Sequence, residues 1–164
     1  MTDPFSLTYD HLWSLVEADS ELAEFVKPGN RIRLDKHDPL KRAIGAGDVP
    51  ELVLRPLGGA DHPLNVTSNQ FELNPRWDWV ITSGDYLITK KLFPVQWRLF
   101  IVMAKFQKAS GALTFNEKPF IKNVTLTSHE SGDVRPESNR GLQGYISVLA
   151  FELKCRFDKS LLEG

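Results

Sequence analysis

Gln70-Phe71-Glu72-Leu73-Asn74-Pro75-Arg76-Trp77-Asp78-Trp79-Val80-Ile81-Thr82-Ser83 is the stretch on which the fold turns. Phe71, Leu73, Trp77, Trp79 and Ile81 occupy odd positions on either side of Asn74-Pro75, the period-two signature of a strand with one buried face. Proline cannot donate to a strand ladder, so a bend is expected at Asn74-Pro75. Upstream, Glu51 to Leu57 reads as a short strand bracketed by Pro50 and Pro56, and Arg31-Ile32-Arg33-Leu34-Asp35 alternates like a half-buried strand. Polar loops with Gly45, Gly47 and Gly58-Gly59 separate these segments.

Helical spacing flanks this strand-rich centre. Leu12, Leu15, Val16, Leu22, Ala23 and Val26 follow Thr8, a candidate cap, at spacings of three, four and seven. Asp19-Ser20 falls where another hydrophobe is due, so a kink or a restart is expected there. Lys27-Pro28-Gly29-Asn30 ends the segment. Asp85 to Ala109 is the main helix, with Pro94 harmless in the first turn of its strong part. Its two apolar faces, Val95/Leu99/Val102/Met103/Phe106 and Trp97/Phe100/Ile101/Ala104, predict cover on both sides. Gly111 to Pro119 is a loop or turn, Phe120 to Ser128 a strand, and His129 to Gly141 a polar loop. Gly144 to Phe157 is a long strand, too apolar over Tyr145 to Phe151 to lie at an exposed edge. The order is α-β-β-β-α-β-β. Grouped strands argue for an α+β fold, a mostly antiparallel sheet with two main helices packed on one face, and 1–164 as a single domain.

Composition bounds the function. The 164 residues are 41% hydrophobic with one cysteine, Cys155, which forms no internal disulfide and reads as a buried or half-buried strand residue. No apolar run is long enough to cross a bilayer, and Met1-Thr2-Asp3-Pro4 shows no export signal, so the expectation is a protein that stays or assembles in the cytoplasm. A net charge of -1 gives no general attraction to nucleic acid or anionic membrane.

That near-zero charge is unevenly spread. Six acids (Asp3, Asp10, Glu17, Asp19, Glu21, Glu24) stand against Lys27 from Met1 to Gly29, while Lys90, Lys91, Arg98, Lys105 and Lys108 stand against Asp85 from Asp85 to Ala109. Either the acidic and basic segments pack within one molecule, or they meet across a subunit boundary.

No chemistry-bearing pattern is present. There is no G-x-S-x-G elbow, no helical His pair and no Cys pair for zinc. His11 lies on the first helix, and His37, His62 and His129 fall in loops. Asp35-Lys36-His37-Asp38 reads as a solvated turn. Gly45-Ala46-Gly47 and Gly58-Gly59 lack both phosphate-loop spacings. The acids are too scattered for a paired-carboxylate site. No metal, no cofactor and no specific nucleic-acid binding are expected. Phe93 and Trp97, beside the basic residues, read as core rather than as a base-stacking surface.

The layout resembles the tail-terminator or tail-completion proteins of long-tailed bacteriophages and the related neck proteins of phage-like particles. The residues that carry the resemblance are Leu12-Trp13-Ser14-Leu15-Val16, Pro50-Glu51-Leu52-Val53-Leu54, Trp77-Asp78-Trp79-Val80-Ile81 with Ser83-Gly84-Asp85, Phe93 to Phe106, Phe120-Ile121-Lys122-Asn123-Val124 and Gly144-Tyr145-Ile146-Ser147-Val148. The resemblance implies a non-enzymatic virion protein, commonly a hexameric ring, that caps the tail tube and joins it to the head. Its partners would be the tail tube protein and neck or connector proteins, with assembly in the host cytoplasm. Glu17, Glu21, Glu24, Lys90, Lys91, Arg98 and Lys105 would then be the subunit-interface candidates. The other function class is a small ligand-binding module or enzyme with a pocket at loops 37–49 and 58–69, where His37-Asp38 and Asp61-His62 would supply the polar chemistry.

Overall fold

The computed structural model describes residues 3–33, 50–57, 63–83, 88–134 and 144–163. Asp3 begins the structure by capping α1 (Pro4–Glu17), accepting from the Ser6 N–H at 2.9 Å and from the Ser6 hydroxyl at 2.7 Å. Thr8, the expected cap, is instead buried in the second turn, its hydroxyl satisfied by the Pro4 carbonyl at 2.8 Å. Proline at the first helical position explains the difference: it needs no N–H there and lets the helix start five residues earlier. The helix stops at Asp19 and restarts as α2 (Ser20–Phe25), with the Asp19 carboxylate accepting from the Leu22 N–H at 2.8 Å. The restart expected at Asp19-Ser20 is thus present.

One mostly antiparallel sheet follows. Of the strand expected over Arg31 to Asp35, Arg31–Ile32 forms β1, which runs parallel to β2 (Glu51–Leu57), while Leu34 and Asp35 lie outside the described residues. Strand β3 (Leu64–Val66) forms a hairpin with β4 (Gln70–Leu73), and β5 (Arg76–Ser83) continues the same line after the bend at Asn74-Pro75. A turn of π-helix, Ile88–Leu92, leads into α3 (Phe93–Ala109) with Pro94 in its first turn. The expected turn at Gly111 to Pro119 holds a small hairpin of β6 (Thr114–Phe115) and β7 (Lys118–Pro119). Strands β8 (Ile121–Val134) and β9 (Gly144–Asp158) complete the sheet.

The β9 strand organises everything else. Along one edge it pairs first with β5 and then with β4, and along the other with β8, all antiparallel. The bend at Asn74-Pro75 is bridged by the Leu153 N–H donating to the Pro75 carbonyl at 2.9 Å. An apolar strand with partners on both edges needs no exposed edge, as Tyr145 to Phe151 predicted. The polar stretch from His129 to Val134 is strand and not loop, because β9 is long enough to give it backbone partners as far as Val134↔Gly144.

Odd positions of β5 and β9 face the helices. Trp79 meets Trp13 of α1 edge-on at 5.3 Å and donates its indole N–H toward Met103 Sδ of α3 at 3.2 Å. Leu12, Val16, Leu99, Phe106 and Phe151 are fully buried with them, each removing apolar surface worth about 1.5–3 kcal/mol. The opposite face carries cross-strand ion pairs between directly opposed residues. There Arg55 grips the buried Asp78 with two hydrogen bonds (2.9 and 2.7 Å), Arg76 reaches Glu152 at 3.0 Å, and Arg156 reaches Glu72 at 2.7 Å.

Candidate functional site

The acidic and basic segments meet where α2 packs against α3. Arg98 Nη2 lies 2.6 Å from Asp19 Oδ2, and Arg98 Nη1 lies 3.2 Å from Glu21. The Asp19 side chain is fully buried and that of Arg98 is 17% exposed. Burial pushes the Asp19 carboxyl up, but the Arg98 hydrogen bonds, the Leu22 N–H and the positive charges of Arg98 and Lys105 together hold it below the ordinary value. The same contact raises Arg98, chiefly through the hydrogen bonds to Asp19. Of the two arrangements open from sequence, the pairing within one molecule is therefore realised at Arg98.

The other interface candidates are placed around this pair. Glu17 ends α1, Glu24 lies on α2, Lys90 precedes α3 and Lys105 sits in its fourth turn, all four exposed. None of the four forms an ion pair among the described residues. Lys91 is half-buried and partnered. Sequence alone missed Asp19 as the acid that matters. Its one signal was its place as a cap at the break in the apolar pattern.

The second apolar face of α3 differs from expectation. It is covered only in part: Phe100 is half-buried edge-on to His129 of β8 at 5.3 Å, whereas Trp97 is 62% exposed and Phe93 52% exposed. A 17-residue helix lying on one sheet presents only one arc to it, here Val95, Leu99, Val102, Met103 and Phe106, so residues a third of a turn away point to water. Phe93 and Trp97, exposed and four residues apart, form an aromatic ridge that the half-buried Ile101 continues. Trp97 and Phe93 are therefore not core.

Two of the concavities among the described residues are large enough to hold a side chain. A cavity of about 630 Å³ lies between α1 and the β2 and β5 ends, walled by Phe5, Tyr9, Pro56, Leu57, Pro75 and Trp77, with Asp10 and Arg76 at its rim. Tyr9 and Trp77 pack at 5.7 Å on its floor, and Arg33 lies 5.4 Å over the Tyr9 ring while bonded to Asp10. A second, of about 510 Å³, lies beside the β6–β7 hairpin against Phe115, Phe120 and Phe157. Its cations are engaged: Lys118 with Asp158 at 3.1 Å and Arg156 with Glu72.

Residues 34–49 and 58–62, which hold His37, Asp38, Asp61 and His62, lie outside the described residues. Among the described residues no cluster of His, Cys, Asp and Glu is arranged to hold a metal ion. His129 Nε2 comes within 3.3 Å of Ser147 Oγ, which also accepts from Gln96 at 2.6 Å. The Ser147 hydroxyl is buried, so this group ties α3 to β8 and β9 rather than facing a substrate. Cys155 is buried too, which pushes its thiol up to about 12. No helix among the described residues is long and apolar enough to cross a membrane.

No protein-family model matches the chain, and no curated protein matches it. Among solved structures it is similar to a chain described as "Virion of native gene transfer agent (GTA) particle". The two share 12% identity and a TM-score of 0.49, over 91% of this chain and 94% of that one.

Proposed function

We propose that this protein is a structural subunit of a phage-like virion, forming a ring that caps the tail tube and joins it to the neck. The observation that carries the reading is the aromatic ridge of α3, which leaves Phe93 and Trp97 more than half in water. Adjacent exposed aromatics on a regular helix are the mark of a surface that another protein covers. The element order supports it as well: helix, grouped strands, central helix and two long strands is the order on which the resemblance to tail-terminator proteins rests.

In this reading the chain acts as one domain, assembled in the host cytoplasm and resident in the tail or neck. Glu17, Glu21, Glu24, Lys90, Lys91 and Lys105 lie at or near subunit contacts, while Arg98 serves mainly to fix α2 onto α3. The partners are further copies of the chain, the tail tube protein and neck or connector proteins. The work is mechanical and uses no cofactor. Deleting the gene from the genome that encodes the particle tests this. Electron micrographs should show heads and tails that fail to join, restored by supplying the gene in trans. Joined, normal particles from the deletion would overturn it.

A further inference from the structure

We propose that the Phe93–Trp97–Ile101 ridge of one copy seats in the Phe5/Trp77 groove of the next copy, making a head-to-tail contact between copies of this chain. The inference rests on the assembling-subunit reading above. Each half supplies what the other lacks. The ridge is convex and apolar, with Trp97 as the large exposed anchor. The groove is concave, about 630 Å³, and walled by Phe5, Tyr9, Pro56, Leu57, Pro75 and Trp77. Anchoring of an aromatic side chain in a desolvated pocket is the commonest source of interface affinity.

Charge selects a second copy as the occupant. Helix α1, which forms one wall of the groove, contains no Lys or Arg and exposes Asp10 and Glu17, with its cap Asp3 also exposed. Helix α3 contains no Asp or Glu and exposes Lys105 and Lys108 beside the ridge, with Lys90 just ahead of it. Seating the ridge of one copy in the groove of another sets ammonium groups against carboxylates along two helices of similar length. Asp10 is already held by Arg33, which leaves Asp3 and Glu17 to take the lysines.

Position sets the symmetry. The groove lies at the Arg76-Trp77 end of β5, and the chain enters α3 from the Ser83 end, roughly 25 Å away along the strand. Because the two patches differ, a single ridge-to-groove contact leaves a free groove on one copy and a free ridge on the other, a heterologous contact that passes from copy to copy until a ring closes.

The test uses two variants of the full chain, Trp97→Gln on the ridge and Phe5→Gln with Pro56→Ser on the groove. All three side chains are exposed, so thermal unfolding should be unchanged and confirms that each variant folds. Light scattering over a concentration series should show the wild type assembling and each variant alone doing so about tenfold more weakly. An equimolar mixture retains one good ridge and one good groove, and should form dimers that grow no further. If the wild type assembles and a variant assembles equally well, or the mixture makes no dimer, this contact is wrong and the assembling reading stands. A wild type that stays monomeric at every concentration overturns both.

Discussion

Asp19 holds two donors at once: the Leu22 N–H of its own helix at 2.8 Å and the Arg98 guanidinium of α3, 79 residues on, at 2.6 Å. One buried carboxylate thus starts α2 and fastens it to the central helix. The two roles separate by substitution. Asp19→Asn keeps a capping oxygen and loses the charge, and should cost about 1–2 kcal/mol. Asp19→Ala loses both and should cost about 2–3 kcal/mol, the extra being the cap. Urea denaturation of the three proteins measures the difference, and equal losses for Asn and Ala would remove the capping role.

Acid should destabilise the fold through four carboxylates. Asp3 is lowered by the Ser6 N–H, Asp19 is lowered by Arg98 against the opposing effect of burial, and Glu72 is lowered by Arg156. Asp158 falls to about 2, chiefly through the Ser160 N–H and then Lys118. A lowered folded-state value means that the unfolded chain takes up protons first as pH falls. The contribution is complete above the ordinary values of 3.8 for Asp and 4.5 for Glu, and drains away below them down to about 2. Stability should therefore be flat in these groups above about pH 5 and fall steadily below about pH 4. Asp19→Asn should flatten that fall, and an unchanged slope would contradict the assignment.

The tip of the β6–β7 hairpin is strained. Asn116 and Glu117 both have positive φ, 48° and 64°, the left-handed pair demanded by a two-residue hairpin turn. Asparagine tolerates this region, but glutamate has no local hydrogen bond to offset it. Glu117→Gly should stabilise the protein by about 0.5–1 kcal/mol, seen as a raised urea midpoint at unchanged slope. A destabilised variant would show that the Glu117 side chain is needed.

Cys155, with its thiol pushed up to about 12 by burial, should resist alkylation near neutral pH. Its labelling rate should rise with urea in step with loss of circular dichroism. Rapid labelling of the folded protein would place the thiol at the surface.

Legibility in the sequence followed the strength of local pattern. Trp77, Trp79 and Ile81 declared a buried strand face, Pro75 its bend and Asp19 the helix restart, because each depends on its neighbours in the chain. The polar run from His129 to Val134 has no such pattern and is strand only because β9 lies beside it. Two helix faces of nearly equal apolarity on α3 gave no means of telling which the sheet would take. The Asp19–Arg98 bond was visible only as two oppositely charged segments, since the choice between meeting inside a chain and meeting between chains belongs to tertiary packing. The Phe5/Trp77 groove gathers residues from three separate segments and carried no local mark at all.

The long strand β9 follows every other described strand in the chain, yet it lies between β5 and β4 on one side and β8 on the other. During synthesis the sheet has no centre until about residue 158 has left the ribosome. Until then β5 and β8 wait with open edges, which are the parts of a nascent chain most prone to pair with a neighbour. Folding of this sheet is thus deferred until its last described strand has been made, and on a crowded polysome the unfinished sheets must be kept apart before the finished subunits can be brought together.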